Sequence, residues 1–217
     1  MADAQRDKIV QAFLALLAEK EFQEISLGEV ARRAEVSLAE LRGAFGSTFD
    51  MLSAFLRDID NQVLAGGADA EFDESPARDR LFDVLMRRLE VLAPHREAVR
   101  SLARSARRNP AFALALNSLS LRSQQWMLAA ANIETAGVSG CVRAQGLSYV
   151  MARTLRVWLD DEDPGLARTM AVLDRELANG ERTLNMLDSL CRFVPRWPAP
   201  RRRRPRPRSG GSESAAA

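Results

Sequence analysis

Residues 25–52 read ISLGEVARRAEVSLAELRGAFGSTFDML and contain two helix-start signals eleven residues apart. Each signal is a serine followed three residues later by a glutamate, first Ser26 with Glu29 and then Ser37 with Glu40. In such a capping box the hydroxyl and the carboxylate satisfy free backbone N–H groups at the start of a helix. The spacing predicts two short helices, 27–34 and about 38–44, joined by a tight turn, which is the helix-turn-helix arrangement.

Helical patterns continue on both sides of this motif. Apolar residues at i, i+4, i+7 and i+8 predict an amphipathic helix over about 3–20, and Ser47 opens another that extends to about residue 65. Glycine and proline breaks divide the remainder, and they predict helices near 76–92, 95–106, 110–133, 139–160 and 164–189. We therefore expect an all-α chain of about nine helices.

The bulk composition agrees with a helical globular protein. Hydrophobic residues make up 47% of the chain and aromatic residues 6%, and the scarcity of aromatic and β-branched residues disfavours sheets. The N-terminal residues show no apolar signal sequence, and no uncharged apolar run approaches the length of a membrane span. Cys141 and Cys191 are remote from each other and are interpreted as small buried hydrophobes in a reducing compartment. These features predict a cytoplasmic protein.

The charge is unevenly distributed along the chain. From residue 196 onward there are seven arginines and one acid, so the net charge of +2 leaves residues 1–195 with a net charge of −4. The last part, PRWPAPRRRRPRPRSGGSESAAA, is of low complexity and is predicted to be disordered. We therefore divide the chain into a helix-turn-helix domain (1–53), a helical ligand-binding and dimerisation domain (54–193) and a tail (194–217).

Residues 8–56 resemble the DNA-binding head of the TetR family of transcriptional regulators. The resemblance is carried by Ser26, Val30, Ala31, Ala34, Val36, Ser37, Leu41, Phe45, Ser47 and Leu52. It implies a TetR-like fold and a ligand-responsive, DNA-binding regulator, expected to be a repressor that reads its operator through the major groove. It also implies a homodimer formed through the helices near 139–160 and 164–189, and a small apolar ligand held between the central helices.

The head departs from the family pattern at several positions that would contact DNA. Glu35 replaces the usual glycine of the turn, Ala39-Glu40 the usual Gly-Thr, Arg42 an aromatic residue, and Thr48 a lysine. Residues 1–53 hold six basic and nine acidic side chains, and binding to phosphates depends on cations. The candidate DNA-binding residues are Arg32, Arg33, Ser37, Leu38, Ala39, Arg42, Ser47 and Thr48. Alternatively, the three arginines are solvated surface charges that balance nearby glutamates.

Large apolar side chains of the central helices are candidates for a ligand pocket. Flexible methionine beside tryptophan is typical of an adaptable apolar site. The candidate residues are Trp126, Met127, Tyr149, Met151 and Trp158 as walls, with His95 and Gln125 as polar groups. The alternative is that these large side chains belong to the core.

A second, shorter stretch resembles another group of proteins with a TetR-like fold. VWLDDEDPGLARTMAVLDRELANG, residues 157–180, is similar in order to the C-terminal half of the lipid-binding accessory proteins of ubiquinone biosynthesis. That resemblance implies a lipid- or isoprenoid-binding protein that does not bind DNA. In that case the arginine-rich tail would meet anionic headgroups at a membrane surface. In a DNA-binding protein it would hold phosphates, and a third alternative is a solubilising arm without a partner.

The sequence offers little support for an enzyme. His95 is the only histidine, and no phosphate loop, nucleophile elbow or set of metal ligands is present. The acids 160–163 match no calcium loop and are interpreted as helix-capping groups. We therefore expect no catalytic residues, no cofactor and no metal.

Overall fold

The computed structural model describes residues 2–66 and 74–193 of the chain, with side chains described for 4–66 and 74–182. These residues form α-helices and short 3-10 turns without strands, which confirms the predicted all-α class. The nine α-helices of this part of the chain are α1 (Ala2–Glu19), α2 (Leu27–Arg33), α3 (Leu38–Ala44), α4 (Thr48–Ala65), α5 (Ala77–Leu92), α6 (Arg96–Arg108), α7 (Pro110–Ala130), α8 (Gly137–Trp158) and α9 (Ala167–Phe193). The predicted tail, 194–217, and the side chain of Cys191 lie outside the described residues.

Both capping boxes predicted from the sequence are present. Ser26 starts α2 and Ser37 starts α3, and in each case the serine hydroxyl accepts from the backbone N–H of the glutamate three residues on. Helix α1 packs on α2 and α4, with Ile9, Phe13 and Leu17 fully buried. The head is thus a three-helix unit whose core is continuous with that of the rest of the protein.

The turn between α2 and α3 has a left-handed residue at Glu35, with φ of 51°. The backbone N–H of Val36 donates to Ala31 O at 3.0 Å and that of Glu35 to Arg32 O at 3.2 Å. These two bonds close the end of α2 as a Schellman motif, in which the left-handed position is usually glycine. The glutamate found there in the sequence therefore occupies a strained backbone position.

Several helix ends in the body differ from the sequence-based boundaries. Helix α7 ends at Ala130 rather than 133, because Asn132 turns left-handed with φ of 55°. Helix α5 begins at Ala77 rather than 76, with Pro76 as its N-cap. Helix α9 begins at Ala167 rather than 164. In its first turn, the backbone N–H and the hydroxyl of Thr169 donate to the buried carboxylate of Asp161, at 2.9 and 2.6 Å.

Helix α4 connects the head to the body and crosses the predicted domain boundary at residue 53. Its buried Asp60 forms an ion pair with Arg88 of α5 and accepts from Ser123 Oγ of α7 at 2.6 Å. One hydrophobic cluster runs through the head, α4 and the body helices. None of the described helices combines the length and the apolarity needed to cross a lipid bilayer.

Candidate DNA-binding face and ligand cavity

Helix α3 presents most of its surface to solvent. Leu41 is its only residue that is fully buried, whereas Ala39 and Arg42 are exposed and Leu38 is 61% exposed. A leucine placed on the outside at the start of a short helix lies where a recognition helix would contact base edges. The structure therefore places three predicted DNA-binding residues on one accessible element.

The side chain of Arg42 extends toward the start of α4. A Cβ atom at Gly46 would lie 3.3 Å from Arg42 Nη1, so the guanidinium reaches the loop that precedes Ser47 and Thr48. Arg42 has no ion-pair partner among the side chains that the structure describes. The corner between α3 and α4 thus brings together a free cation and two predicted phosphate-contacting positions, at the N-terminus of a long helix.

The polar groups at the starts of α3 and α4 are partly occupied by the protein itself. Ser37 Oγ accepts from Glu40 N at 3.2 Å and lies 2.7 Å from Glu40 Oε2. Ser47 Oγ accepts from Asp50 N at 3.1 Å, and Asp50 Oδ2 accepts from Gly46 N at 3.0 Å. Hydrogen bonds from the backbone and the hydroxyl of Ser37 lower the pKa of Glu40, so its carboxylate stays charged beside the start of α3.

The remaining basic side chains of the head differ in whether they are paired within the protein or available to an external anion. Arg33 forms two hydrogen bonds of 2.8 Å with Glu19, whereas Arg32 is exposed and has no ion-pair partner within the described part of the chain. The other basic side chains also have partners, namely Lys8 with Glu35, Lys20 with Glu29, and Arg6 with the carbonyl of Ala44. Arg32 and Arg42 are therefore the cations of this region that are available to an external anion.

The body contains a cavity of about 630 Å³, partly open to solvent, between α4, α5, α6, α7 and α8. Its walls are largely apolar, with Phe55 of α4, Leu92 of α5, Leu102 of α6 and Met151 of α8 among them. This volume is within the range of sites that enclose drug-sized ligands. The cavity contacts α4 through Phe55, so it adjoins the helix that starts at the corner between α3 and α4.

The predicted ligand residues are mostly placed elsewhere. Among the seven candidates only Met151 lines the cavity, whereas Met127 and Trp158 are fully buried core residues. Gln125, Trp126 and Tyr149 are exposed, which corrects the expectation that they face the ligand. The cause is the rotation of α7 about its own axis. Its inner face is formed by Ser120, Ser123, Gln124 and Met127, so Gln125 and Trp126 point outward.

His95 lies apart from the cavity. It belongs to the 3-10 turn before α6, and its ring packs edge-on against Phe55 with centroids 5.1 Å apart. Burial lowers the pKa of His95, so the ring is neutral at physiological pH. It lines a more open depression between that turn and α1, and its role as a polar ligand group stays a prediction.

Sequence reasoning missed the polar residues that do line the cavity. Asn117, Ser120 and Gln124 follow each other at i, i+3 and i+7 on the inner face of α7. That spacing was a usable signal, since a polar stripe on the buried face of a helix needs partners. Arg107 and Arg156 also line the cavity. No sequence pattern shows that these two arginines, on α6 and α8, line the same cavity.

A second exposed surface lies along α8. Val138 is 82% exposed, Val142 44% and Tyr149 58%, and their spacing places them on one side of the helix, opposite the buried residues. Cys141, at the edge of the same side, is also exposed, which corrects the expectation that it is a buried hydrophobe. Within the described residues, this apolar stripe has no covering element.

Comparison with known proteins identifies the architecture. No family model matches the chain, and no curated protein matches it by sequence. Among solved structures, the chain is similar to a TetR transcriptional regulator from Nitrosomonas europaea ATCC 19718, with a TM-score of 0.62 and 24% identity over 81% of this chain and 97% of that one.

Two further solved structures are similar over most of their length. A TetR transcriptional regulator from Rhodococcus sp. RHA1 has a TM-score of 0.59 and 21% identity, over 84% of this chain and 97% of that one. A TetR-family transcriptional regulator from Streptomyces coelicolor has a TM-score of 0.54 and 16% identity, over 88% of both chains. The chain therefore has the TetR-like fold that residues 8–56 predicted.

Proposed function

We propose that this protein is a DNA-binding transcriptional regulator of the TetR type, and that it acts as a ligand-responsive repressor. The observation that carries the proposal is the accessible helix α3, with Arg42 extending to the first turn of α4. The similarity to three regulators of this fold supports the assignment. No catalytic or cofactor-binding role is proposed for any residue, and the described residues contain no cluster of metal-ligating side chains.

In the proposed complex α3 enters the major groove. Leu38 and Ala39 at its start would meet base edges, and Arg42 with Ser47 and Thr48 would bind phosphates. Arg32 at the end of α2 would add a second phosphate contact. Arg33 would contribute only if it leaves Glu19, because its guanidinium is engaged there at 2.8 Å. Phosphate contacts of this kind position the helix, and contacts to base edges specify the sequence.

Regulation by a ligand follows from the position of the cavity. A ligand there touches Phe55 and Leu56 of α4, and the same helix begins at Ser47 in the DNA-binding corner. In a homodimer, occupation of the cavity would change the separation of the two α3 helices through α4. Since a two-fold dimer binds two half-sites about one helical turn apart, such a change would lower the affinity for the operator.

The test is a binding measurement with DNA from upstream of the protein's own coding sequence, over a series of salt concentrations. The full chain and a chain ending at residue 193 are compared, because the arginine tail alone could hold phosphates. We expect sequence-selective binding by both chains. Binding that is lost with the tail, or that is equal for unrelated DNA, would contradict the proposal.

Two single substitutions make the DNA test specific to α3. Arg42→Ala should weaken binding and reduce the slope of log K against log salt by about 1, the amount expected for one phosphate contact. Glu40→Gln should strengthen binding, since glutamine can replace glutamate in a capping box while the negative charge is removed. Arg122→Ala and Glu90→Gln, which make the same charge changes on exposed positions of α7 and α5, are the matched controls and should change neither affinity nor slope.

A second candidate function is lipid binding without DNA binding, as the resemblance of residues 157–180 implies. The observation that favours it is the acidic head, in which Lys8, Lys20 and Arg33 are paired with carboxylates of the protein itself. A protein with this function would show no selective DNA binding in the salt series. It would carry an isoprenoid or acyl lipid, detectable by native mass spectrometry of the purified protein.

A further inference from the structure

The exposed side of α3 is mostly apolar. Five of its seven residues are exposed, and three of these, Leu38, Ala39 and Gly43, have no hydrogen-bonding group in the side chain. The other two are Glu40 and Arg42. A Cβ atom added at Gly43 would meet nothing within 4 Å, and Leu38 is 61% exposed, so this side of the helix is open to a partner.

The two polar side chains of this surface have other contacts. Glu40 Oε2 accepts from the backbone N–H and from the hydroxyl of Ser37, both at 2.7 Å. Its carboxylate therefore caps the helix that carries it, and its charge is repelled by phosphates. Arg42 extends to the loop before Ser47, where the proposed complex has a phosphate. Neither side chain is then left for the edge of a base.

An apolar side chain can recognise one kind of group in the major groove. Every base pair presents hydrogen-bond donors and acceptors there, and only thymine adds a methyl group. Contact between that methyl group and an apolar side chain removes both from water, which is favourable. Contact with a polar base edge is unfavourable, because the edge loses its hydrogen bonds to water. The exposed side of α3 therefore favours T·A pairs.

We infer that the operator is read through thymine methyl groups, which Leu38 and Ala39 contact in the major groove. Arg32 and Arg42 bind phosphates and set the position of α3, and α3 forms no hydrogen bond to a base. This inference rests on the proposed DNA-binding function and names the base that the protein recognises. It makes Leu38 and Ala39 the specificity-determining residues.

The test first locates the operator by footprinting the full chain on DNA from upstream of the protein's own coding sequence. Fluorescence anisotropy then measures the affinity for duplexes in which one thymine at a time is replaced by deoxyuridine. Deoxyuridine pairs as thymine does and lacks only the methyl group. We expect sensitive thymines in the protected segment, at which the replacement weakens binding about fourfold, the effect of one buried methyl group. The absence of any sensitive thymine would overturn the inference.

A second set of duplexes separates the methyl group from the rest of the base pair. At each sensitive position the T·A pair is replaced by C·G, with the cytosine either unmodified or methylated at carbon five. The methylated cytosine keeps the donor of cytosine and carries its methyl group where thymine has one. We expect methylation to restore affinity about fourfold at these positions and to have no effect outside the protected segment. Equal affinity of the two cytosine duplexes would contradict methyl recognition.

Leu38→Ala assigns the effect to one side chain. Because alanine is a good helix former and Leu38 is exposed, the variant keeps α3. For at least one sensitive thymine, its affinities for the thymine and deoxyuridine duplexes should differ by less than about twofold. Leu114→Ala is the matched control, a leucine of α7 that is 74% exposed, and should keep every preference. A Leu38→Ala variant that also keeps every preference would contradict the role of Leu38.

Failure of this inference and failure of the proposed function give different results. If the protein binds no DNA selectively, both are contradicted. If selective binding is unaffected by deoxyuridine but is weakened by deazaguanine, which lacks the N7 acceptor, the regulator stands and this inference is overturned. In that case Arg42, rather than Leu38, reads the operator.

Discussion

Charges on a few single residues decide how the head can meet DNA. Arg32 and Arg42 have no ion-pair partner among the described side chains, whereas Glu40 keeps a negative charge at the start of α3, because hydrogen bonds from Ser37 lower its pKa. The capping contact that starts α3 therefore opposes the binding that we propose for α3. Such a head would have modest affinity for DNA of any sequence. Contacts of Leu38 and Ala39 with base edges would have to supply the additional affinity for the operator.

Glu35 gives a prediction about stability. Its left-handed backbone, with φ of 51°, is costly for a residue with a Cβ atom and not for glycine. We expect Glu35→Gly to raise the free energy of unfolding by about 0.5–1 kcal/mol, since the relief of strain exceeds the added entropy of the unfolded chain. Urea denaturation followed by circular dichroism measures the change.

The control for this substitution is Glu35→Gln, which removes the same charge and keeps the Cβ atom. It also removes the ion pair with Lys8, whose 3.2 Å contact is on the surface and contributes little. We expect its stability to match that of the unchanged protein. A glutamine variant as stable as the glycine variant would show that charge, rather than backbone conformation, is responsible.

Among the helices, α4 is joined to the body by a buried ion pair as well as by apolar packing. Arg88 and Asp60 are nearly inaccessible, with 4% and 10% of their side chains exposed, and Ser123 completes the contact from α7. Arg88→Leu leaves the carboxylate of Asp60 buried without a cation. We expect it to lower the free energy of unfolding by about 3–5 kcal/mol, measured by urea denaturation.

The double variant Asp60→Asn, Arg88→Leu tests the reason for that loss. Since no buried charge then remains at this point, we expect the double variant to be more stable than Arg88→Leu alone. If the two variants are equally unstable, the loss comes from packing of the arginine side chain and not from its charge.

Besides α4, helix α6 also connects the head with the wall of the cavity. Ser101 Oγ donates to Lys20 O at 2.6 Å, and Phe22 N donates to Ser105 Oγ at 3.0 Å. Phe22 also stacks on Phe112 at the start of α7, with ring centroids 4.4 Å apart. Other residues of α6 form part of the cavity wall, including Leu102. The segment between α1 and α2 is thus fastened to the helix that would contact the ligand.

For the protein as a whole, we predict a homodimer formed through the exposed stripe of α8 together with α9. The stripe contains Val138, Val142 and Tyr149, and an uncovered apolar surface of this kind is typical of a subunit interface. Tyr149→Glu should convert the dimer into a monomer, because a charge would be buried at the interface. Analytical ultracentrifugation measures the mass.

Leu114→Glu is the matched control for the dimer prediction, because it places the same charge on an apolar residue of α7 that is 74% exposed. Its mass should remain that of the dimer. A monomeric unchanged protein, or a Tyr149→Glu variant that stays dimeric, would contradict the interface. A monomeric protein would also lack the two-fold symmetry that places two α3 helices on half-sites one helical turn apart.

The sequence by itself determined the helices and the architecture of the head. Capping boxes at Ser26 and Ser37 depend only on residues three apart, and the apolar stripe of α1 on residues three and four apart. Because these signals are local, they predicted the helix-turn-helix and the all-α class, and they located the exposed candidate positions of α3. Helix ends were less well predicted where a left-handed residue such as Asn132 ended the helix.

Only the tertiary structure decided which side chains share the cavity and which cations are free. Trp126 and Tyr149 suggested a ligand site by their type, but the rotation of α7 and α8 in the packed core places them outside and turns Gln124 inward. Arg33 is paired with Glu19, fourteen residues away, whereas Arg42 has no ion-pair partner in the part of the chain that the structure describes. Such pairings depend on the packing of separate helices, which sets distances that local spacing in the sequence does not contain.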